Sequence, residues 1–453
     1  MLDREDHPPG PRGLPYFGCL HGLLRDPMEF WSHIANTYGG LARVPLKGRH
    51  VYLVSDPEVL YELLVTNRQR YRKNVRYKAA VDTFGEGLLL LEGDAWKRQR
   101  LITQPAFKND YVRERVPMMA AITARFLDAW EAAAESGLPR DVEVDFLRLS
   151  QTIAGHYLMG PAFAKFDEPF HAAAIAIKNN WPIPPRSLLA LYKPKDKGRE
   201  ARLDAAIKTA DACIREYLTE QRKTDFANCG VVSLLVKTSR EQGDEFDDSS
   251  LRDQLLTLFF AGHETSAITL TWAHYLLSQH PTVRTRMQRE VAAVIGASVP
   301  TAEQVDQLDY TECVLNETLR MYSPIHSISR VALEDDVLGG YKIPAGAMIY
   351  VSLYAIHRLA ALWPDPDQFD PDRFTPERSA KRPRFAFIPF AAGHRNCVGA
   401  NMSVIELKLI LAQIAQRFTL DLAPGHRVRT SAETTMRPRY GMRMIIKKVA
   451  ALA

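Results

Sequence analysis

The sequence has few cysteines, no apolar run of membrane-spanning length and almost no charge bias, and each lack excludes a class of protein. Its five cysteines, Cys19, Cys213, Cys229, Cys313 and Cys397, are odd in number and widely spaced along 453 residues. That spacing opposes a disulfide framework, and no Cys-x-x-Cys pair suggests zinc. A reducing compartment is expected. No stretch of about 18 apolar residues occurs, and the N-terminal MLDREDHPPGPRGLPYFG carries acids and prolines where a signal peptide needs an apolar run. A soluble, cytoplasmic protein without a transmembrane anchor is therefore expected. The 58 basic residues barely exceed the 53 acidic ones, without the concentrated basic face of a nucleic-acid binder. Internal repeats and low-complexity tracts are also missing, which excludes solenoids.

What remains is an ordinary folded composition, 46% hydrophobic and 25% charged. The patterning predicts one mainly α domain over residues 1–453 with a small mixed β region. The β-rich parts are about 41–55, 329–356 and 417–448, and the helical parts about 56–321 and 397–415. Leu41–Val54 reads as a hairpin turning at Lys47-Gly48, Gly339-Gly340 separates two further strands, and another strand is expected at Tyr440–Met444. Met118, Ile122, Phe126 and Trp130 mark one stripe of a long helix. Leu251–Gln279, apolar all round and stopped by His280-Pro281, reads as a helix crossing the whole molecule. Asn180–Lys197, Glu241–Ser250 and Trp363–Pro376 read as linkers, the first as a mobile connection over a pocket.

One cysteine stands in an unusual setting, Phe390-Ala-Ala-Gly393-His-Arg395-Asn-Cys397-Val-Gly399. Val404, Leu407, Leu411 and Ile414 follow at helical spacing, which places Cys397 at or just before a helix N-terminus. There the backbone N–H groups and the helix dipole favour a thiolate, and the glycines let a loop approach a flat ligand. An axial haem thiolate needs this environment; a lone cysteine at a helix start is otherwise a small buried core residue. The ten-residue pattern decides between them. Phe-x-x-Gly-x-Arg-x-Cys-x-Gly resembles the haem-binding loop of the cytochrome P450 family at every fixed position, and the resemblance extends from PPGPRG at residues 8–13 to the last hairpin.

Four further segments match in family order. Within the long apolar helix lies Ala261-Gly262-His263-Glu264-Thr265-Ser266, where a glycine and an acid beside a threonine are locally costly and mark a functional site. The resemblance implies that small residues including Ala261 leave room over the haem, that Thr265 steadies dioxygen and that Glu264 feeds it protons. Glu317 and Arg320 lie three apart on one helix face, and with Arg373 of Pro371-Asp372-Arg373-Phe374 they match the family's structural triad. Trp96 and Arg100, four apart in GDAWKRQR, share a helix face, and with Arg330 and Arg395 they match the family's propionate partners. Phe390, Gly393 and Gly399 would shape the cofactor loop. By position, Leu88, Leu89, Ile325, His326, Ile328 and Met436 should line the substrate pocket, with Phe84, Ser327, Ser329 and Thr434 nearby. The departures are small: the helix acid is a glutamate, and His357-Arg358 lacks the aspartate that often follows it.

The fold implied is that of a cytochrome P450, with haem between the long central helix and the helix after the cysteine. The activity implied is haem-thiolate monooxygenation: haem b (iron protoporphyrin IX) ligated by Cys397, dioxygen as cosubstrate, and hydroxylation or epoxidation of a hydrophobic small molecule such as a fatty acid or terpenoid. No Gly-x-Gly-x-x-Gly follows a strand, so NAD(P)H serves only indirectly, through a ferredoxin or flavodoxin-type partner and its reductase. Lys97 and Arg98, turned away from Trp96 and Arg100, are candidates for the docking face. A monomer without nucleic-acid partners is expected. A peroxygenase, a haem-thiolate isomerase and a non-enzymatic haem sensor are the alternatives, which the Glu264-Thr265 pair disfavours.

Overall fold

The Leu41–Val54 segment folds as the expected hairpin. Leu46 faces Arg49 across an antiparallel ladder, and Lys47 and Gly48 both take positive φ, +48° and +72°, the two-residue turn whose twist matches paired strands. The computed structural model describes residues 7–73, 78–181, 196–243, 246–432 and 434–449. Among them are twelve strands: β1 (Leu41–Leu46), β2 (Arg49–Val54), β3 (Tyr71–Lys73), β4 (Arg140–Asp141), β5 (Ser327–Ala332), β6 (Asp336–Leu338), β7 (Tyr341–Ile343), β8 (Met348–Ser352), β9 (Phe418–Leu422), β10 (Thr430–Ala432), β11 (Met436–Pro438) and β12 (Arg443–Lys448). The largest sheet runs β1-β2-β8-β5-β3, and β12 is flanked by β4 and β9 in a second. Gly339 and Gly340, with φ +56° and +82°, turn the β6–β7 hairpin as expected.

Two short strands lie inside the stretch read as helical. β3 and β4 are too brief to show a period of two, and their strand character comes from their partners, β5 and β12. Ser352 ends β8 and caps a short helix, Leu353–Ile356, so the last residues of the stretch read as strand are helical.

The remaining bulk is helical and packs around the central helix, Asp248–Gln279. Its 32 residues span about 48 Å. Asp247 caps it by accepting from the Ser250 N–H at 2.7 Å, satisfying one donor that a helix start leaves unpaired. Leu255, Phe259, Ala267, Trp272 and Leu277 are all buried, which explains why no polar face appears in its sequence. In the helix Val116–Ser136 the buried set is Val116, Met119, Ala120, Ile122, Thr123, Leu127 and Trp130. Met118 and Phe126 from the sequence stripe sit at its edge, because a spacing of four overruns a 3.6-residue turn.

Of the linker readings, residues 182–195 lie outside the described residues, between helices Asp167–Asn180 and Lys197–Arg222. Trp363–Pro376 is not a linker. Trp363, Phe369 and Phe374 are buried, and the segment wraps Arg320, whose five N–H groups all find acceptors. Nε and Nη2 donate to the Glu317 carboxylate at 2.7 and 2.8 Å, and the others reach the carbonyls of His357, Pro366 and Gln368. Arg373 Nε stands 3.3 Å from the same carboxylate, so the triad drawn from the sequence is assembled.

Candidate functional site

Between the central helix and the cysteine helix (Ala400–Arg417) lies a cavity of about 500 Å³, lined by Cys397, Ala261, Gly262, Glu264 and Thr265, among others. The chain forms its floor by strain. Ala391 holds φ at +57° and Gly393 at +74°; the first is a conformation that costs a residue with a Cβ roughly 1–2 kcal/mol. A Cβ on Gly393 would stand 2.2 Å from the Leu64 carbonyl oxygen, so the turn requires glycine there. Gly393 supports the loop and is not among the cavity-lining residues, whereas Phe390 and Gly399 are.

Cys397 follows this turn, its N–H donating to the Phe390 carbonyl at 2.9 Å. It is accessible yet lies deep in the molecule, so the surface it presents opens on the cavity. Burial raises its pKa above the usual thiol value despite the Gly399 N–H and the nearby Arg100, both of which lower it. The backbone N–H thus favours the thiolate, as its place before a helix suggests, while desolvation opposes it; a bound metal ion would favour the thiolate further.

On the opposite wall, Thr265 Oγ donates to the carbonyls of Ala261 and Gly262 at 2.9 and 3.2 Å. A Cβ on Gly262 would meet nothing within 4 Å, so the glycine leaves an open notch beside Thr265. Glu264 points elsewhere: its carboxylate accepts from Thr435 Oγ at 3.2 Å and lies 3.9 Å from Lys178 Nζ. Lys178 in turn stands 3.6 Å from the buried Glu143, whose pKa burial raises. Glu264, and not the Thr265 hydroxyl, is thus joined to polar groups that lead into the protein.

A third feature tests whether a haem fits. Lys73, Arg100, Arg330 and Arg395 line the cavity, and Glu92, 2.8 Å from Arg395 Nη2, is the acid beside them. Burial, reinforced by Arg395 and Arg330, lowers the Lys73 pKa to about 8. Burial and Arg395 lower that of Arg330 to about 10. Such a ring lacks negative charge, which two propionates supply. The guanidinium of Arg395 stacks 4.0 Å from the centre of the Trp96 ring, and Arg100 donates to the Asn396 backbone and side-chain oxygens at 2.9 and 3.0 Å. A thiol below, an apolar slot and a cationic edge fit an iron-porphyrin. No three His, Cys, Asp or Glu side chains converge as a metal site among the described residues.

Phe84, Leu88, Leu89, Ile325, Ile328 and Thr434 line the cavity as expected, and Thr435 joins them. His326 and Met436 are not among the described lining residues. Ile328 and Arg330 alternate inward along β5, which turns Ser327 and Ser329 to the other face. Met436 is fully buried, its carbonyl accepting from Trp272 Nε1 at 3.0 Å. Sequence reasoning missed Lys73, Lys178 and Glu92. Lys73 reaches the site only because β3 pairs with β5, where Lys73 opposes Arg330.

The family model for Cytochrome P450 matches residues 8–446. The chain is 32% identical over 436 residues to cyclooctatin synthase of Streptomyces melanosporofaciens, covering 95% of this chain and 93% of that protein. It is 31% identical over 421 residues to cyclooctat-9-en-7-ol 5-monooxygenase of the same organism, covering 92% and 90%. A triple mutant of the cytochrome P450DA heme domain superposes with a TM-score of 0.87 at 28% identity, covering 98% of each chain. The mainly helical architecture with small sheets is that of these haem domains, and no described helix is long and apolar enough to cross a membrane. The chain belongs to the cytochrome P450 family and is a monooxygenase-type oxidoreductase.

Proposed function

We propose that this protein is a haem-thiolate monooxygenase that hydroxylates or epoxidises a hydrophobic terpenoid-like small molecule. The observation that carries the reading is the placement of Cys397 and the Gly262–Thr265 notch on opposite walls of one mostly apolar cavity. Haem b would sit with Cys397 beneath it and with Lys73, Arg100, Arg330 and Arg395 at its propionate edge, Trp96 holding the plane of Arg395. Bound there, it would supply dioxygen activation and oxygen insertion.

The chain's own residues do the rest. Phe84, Trp181 and Phe260 form one aromatic wall, with ring centroids 5.5 and 5.4 Å from Phe84, and with Leu88, Ile325 and Ile328 they exclude water and hold an apolar substrate by area rather than by charge. The Thr265 hydroxyl, its hydrogen given to the helix carbonyls, offers acceptor lone pairs at the notch, and Glu264, held by Thr435 and Lys178, would relay protons toward the notch by a side-chain turn or a bridging water. Electrons come from a separate ferredoxin or flavodoxin-type partner. Lys97, paired with Asp94 at 2.8 Å, and Arg98 belong to the exposed face of the helix that carries Trp96 and Arg100. Terpenoids are favoured over fatty acids because the two Streptomyces relatives are named for cyclooctatin chemistry. A cytoplasmic monomer remains the expectation for its setting.

The test is a spectral titration of the haem protein against terpenoids, fatty acids, steroids and small aromatics. A saturable shift of the Soret band to shorter wavelength with terpenoids alone supports the proposal. A shift confined to fatty acids would replace the substrate class.

A further inference from the structure

One buried acid in the cavity wall is used neither by the proton chain nor by the cationic ring. Glu406, in the second turn of the cysteine helix, is only 4% exposed and lines the same cavity as Cys397 and Thr265. Ser266, the neighbour of Thr265 on the central helix, donates its hydroxyl to Glu406 Oε2 at 3.2 Å. No cation among the described residues pairs with it. The groups around it are accounted for elsewhere: Tyr157, from the helix Val142–Met159, gives its O–H to the Ala106 carbonyl. Lys408, two residues on, pairs at 2.8 Å with Glu312 of the helix Asp309–Met321. Tyr111, Arg115 and Glu406 each act on Tyr157, whereas burial and Ser266 are what act on Glu406 itself.

A carboxylate in that position would be a buried charge with one hydroxyl for support, so the group is held neutral. Burial raises its pKa to about 8, with Ser266 opposing. Being in the wall of the cofactor cavity, it feels the charge of whatever binds there through a medium of low dielectric.

We propose that Glu406 is a redox-linked protonation site, whose ionisation and the reduction of a bound haem oppose one another. This rests on the haem-thiolate reading above. Reduction adds one electron, from the external partner, to the iron. When Glu406 is ionised, the same step takes one proton from solvent and forms the Glu406 O–H bond; no other bond breaks. Linkage makes the effect reciprocal: loss of the proton disfavours reduction, and reduction raises the affinity for the proton. Ser266 positions the carboxyl and touches no reacting atom.

The test is the reduction midpoint of the haem-loaded enzyme measured by spectroelectrochemistry from near neutral to alkaline pH. The expected profile is flat while Glu406 stays protonated. It falls as pH rises above about 8, the reduction equilibrium weakening by as much as about tenfold per pH unit. Glu406→Gln should keep the neutral-pH midpoint and lose the alkaline fall, and Glu406→Asp should restore it at a displaced pH. Identical profiles for wild type and Glu406→Gln would overturn the proposal. If neither variant retains haem, a reduced-minus-oxidised infrared spectrum of the wild type above the Glu406 range decides: a carboxylic-acid carbonyl band gained on reduction supports it, and no such band refutes it. The carbon-monoxide complex of the same reduced sample separates the two claims. A far-red Soret band with a flat profile refutes the role of Glu406 alone, whereas loss of that band refutes the thiolate ligation on which it rests.

Discussion

Replacing Glu317 by Gln should cost far more than its distance from the cavity suggests. The Glu317 and Arg320 side chains are both 0% exposed. The carboxylate accepts from Arg320 at 2.7 and 2.8 Å and from the Asp370 N–H at 3.0 Å, and it stands 3.3 Å from Arg373. Glutamine keeps the shape but offers one acceptor oxygen and no charge, leaving the buried Arg320 and the partly buried Arg373 without a counter-ion. Breaking a buried pair in this way costs about 3–5 kcal/mol. The same removal at an exposed pair is the control: Asp94→Asn, which frees Lys97 on the surface, should leave stability unchanged. Denaturant unfolding followed by far-ultraviolet circular dichroism gives both values from the shift in midpoint. A loss below about 1 kcal/mol for Glu317→Gln would refute the claim that this triad holds the Trp363–Pro376 segment in place.

Other outcomes follow from the cavity. Thr265→Ala should bind haem normally but divert electrons to peroxide; full coupling of electron use to product would refute its role at the notch. Lys178→Met, which removes the cation beside Glu264 and Glu143, should slow turnover by about tenfold and enlarge the solvent isotope effect, and unchanged values of both would exclude Lys178 from the proton chain. Lys73 has a pKa lowered to about 8 by burial and by Arg395 and Arg330, and propionates would raise it again. Haem binding should then take up a proton, so affinity for haem falls as pH rises above about 8. Haem titration of the apoprotein checks this, and a Lys73→Met variant should flatten the dependence.

The parts of the site that the sequence reveals are those written locally. The Phe390–Gly399 loop, the Ala261–Ser266 interruption of an apolar helix and the Glu317–Arg320 pair each lie within ten residues, so their spacing alone carries the geometry. Lys73, Lys178 and Glu406 meet the cavity, and Glu92 meets Arg395, only through tertiary folding. Lys73 depends on a three-residue strand that exists because β5 is beside it, and Glu406 sits in an ordinary helical pattern where nothing marks the missing cation. The Trp363–Pro376 stretch misled because proline and aspartate are common in linkers, whereas here the carbonyls of Pro366 and Gln368 are acceptors for Arg320. His326 and Met436 failed for want of register: at the edge of β5 and at the first residue of β11, one residue decides which face a side chain takes.

The central claim is that Cys397 is the thiolate ligand of a bound haem. Its most direct test is the spectrum of the reduced carbon-monoxide complex of the wild type and of Cys397→Ser. Thiolate ligation predicts a far-red Soret band in the wild type that disappears in the variant. A wild-type band at the shorter wavelength typical of histidine-ligated haem, or one that Cys397→Ser leaves in place, would contradict it.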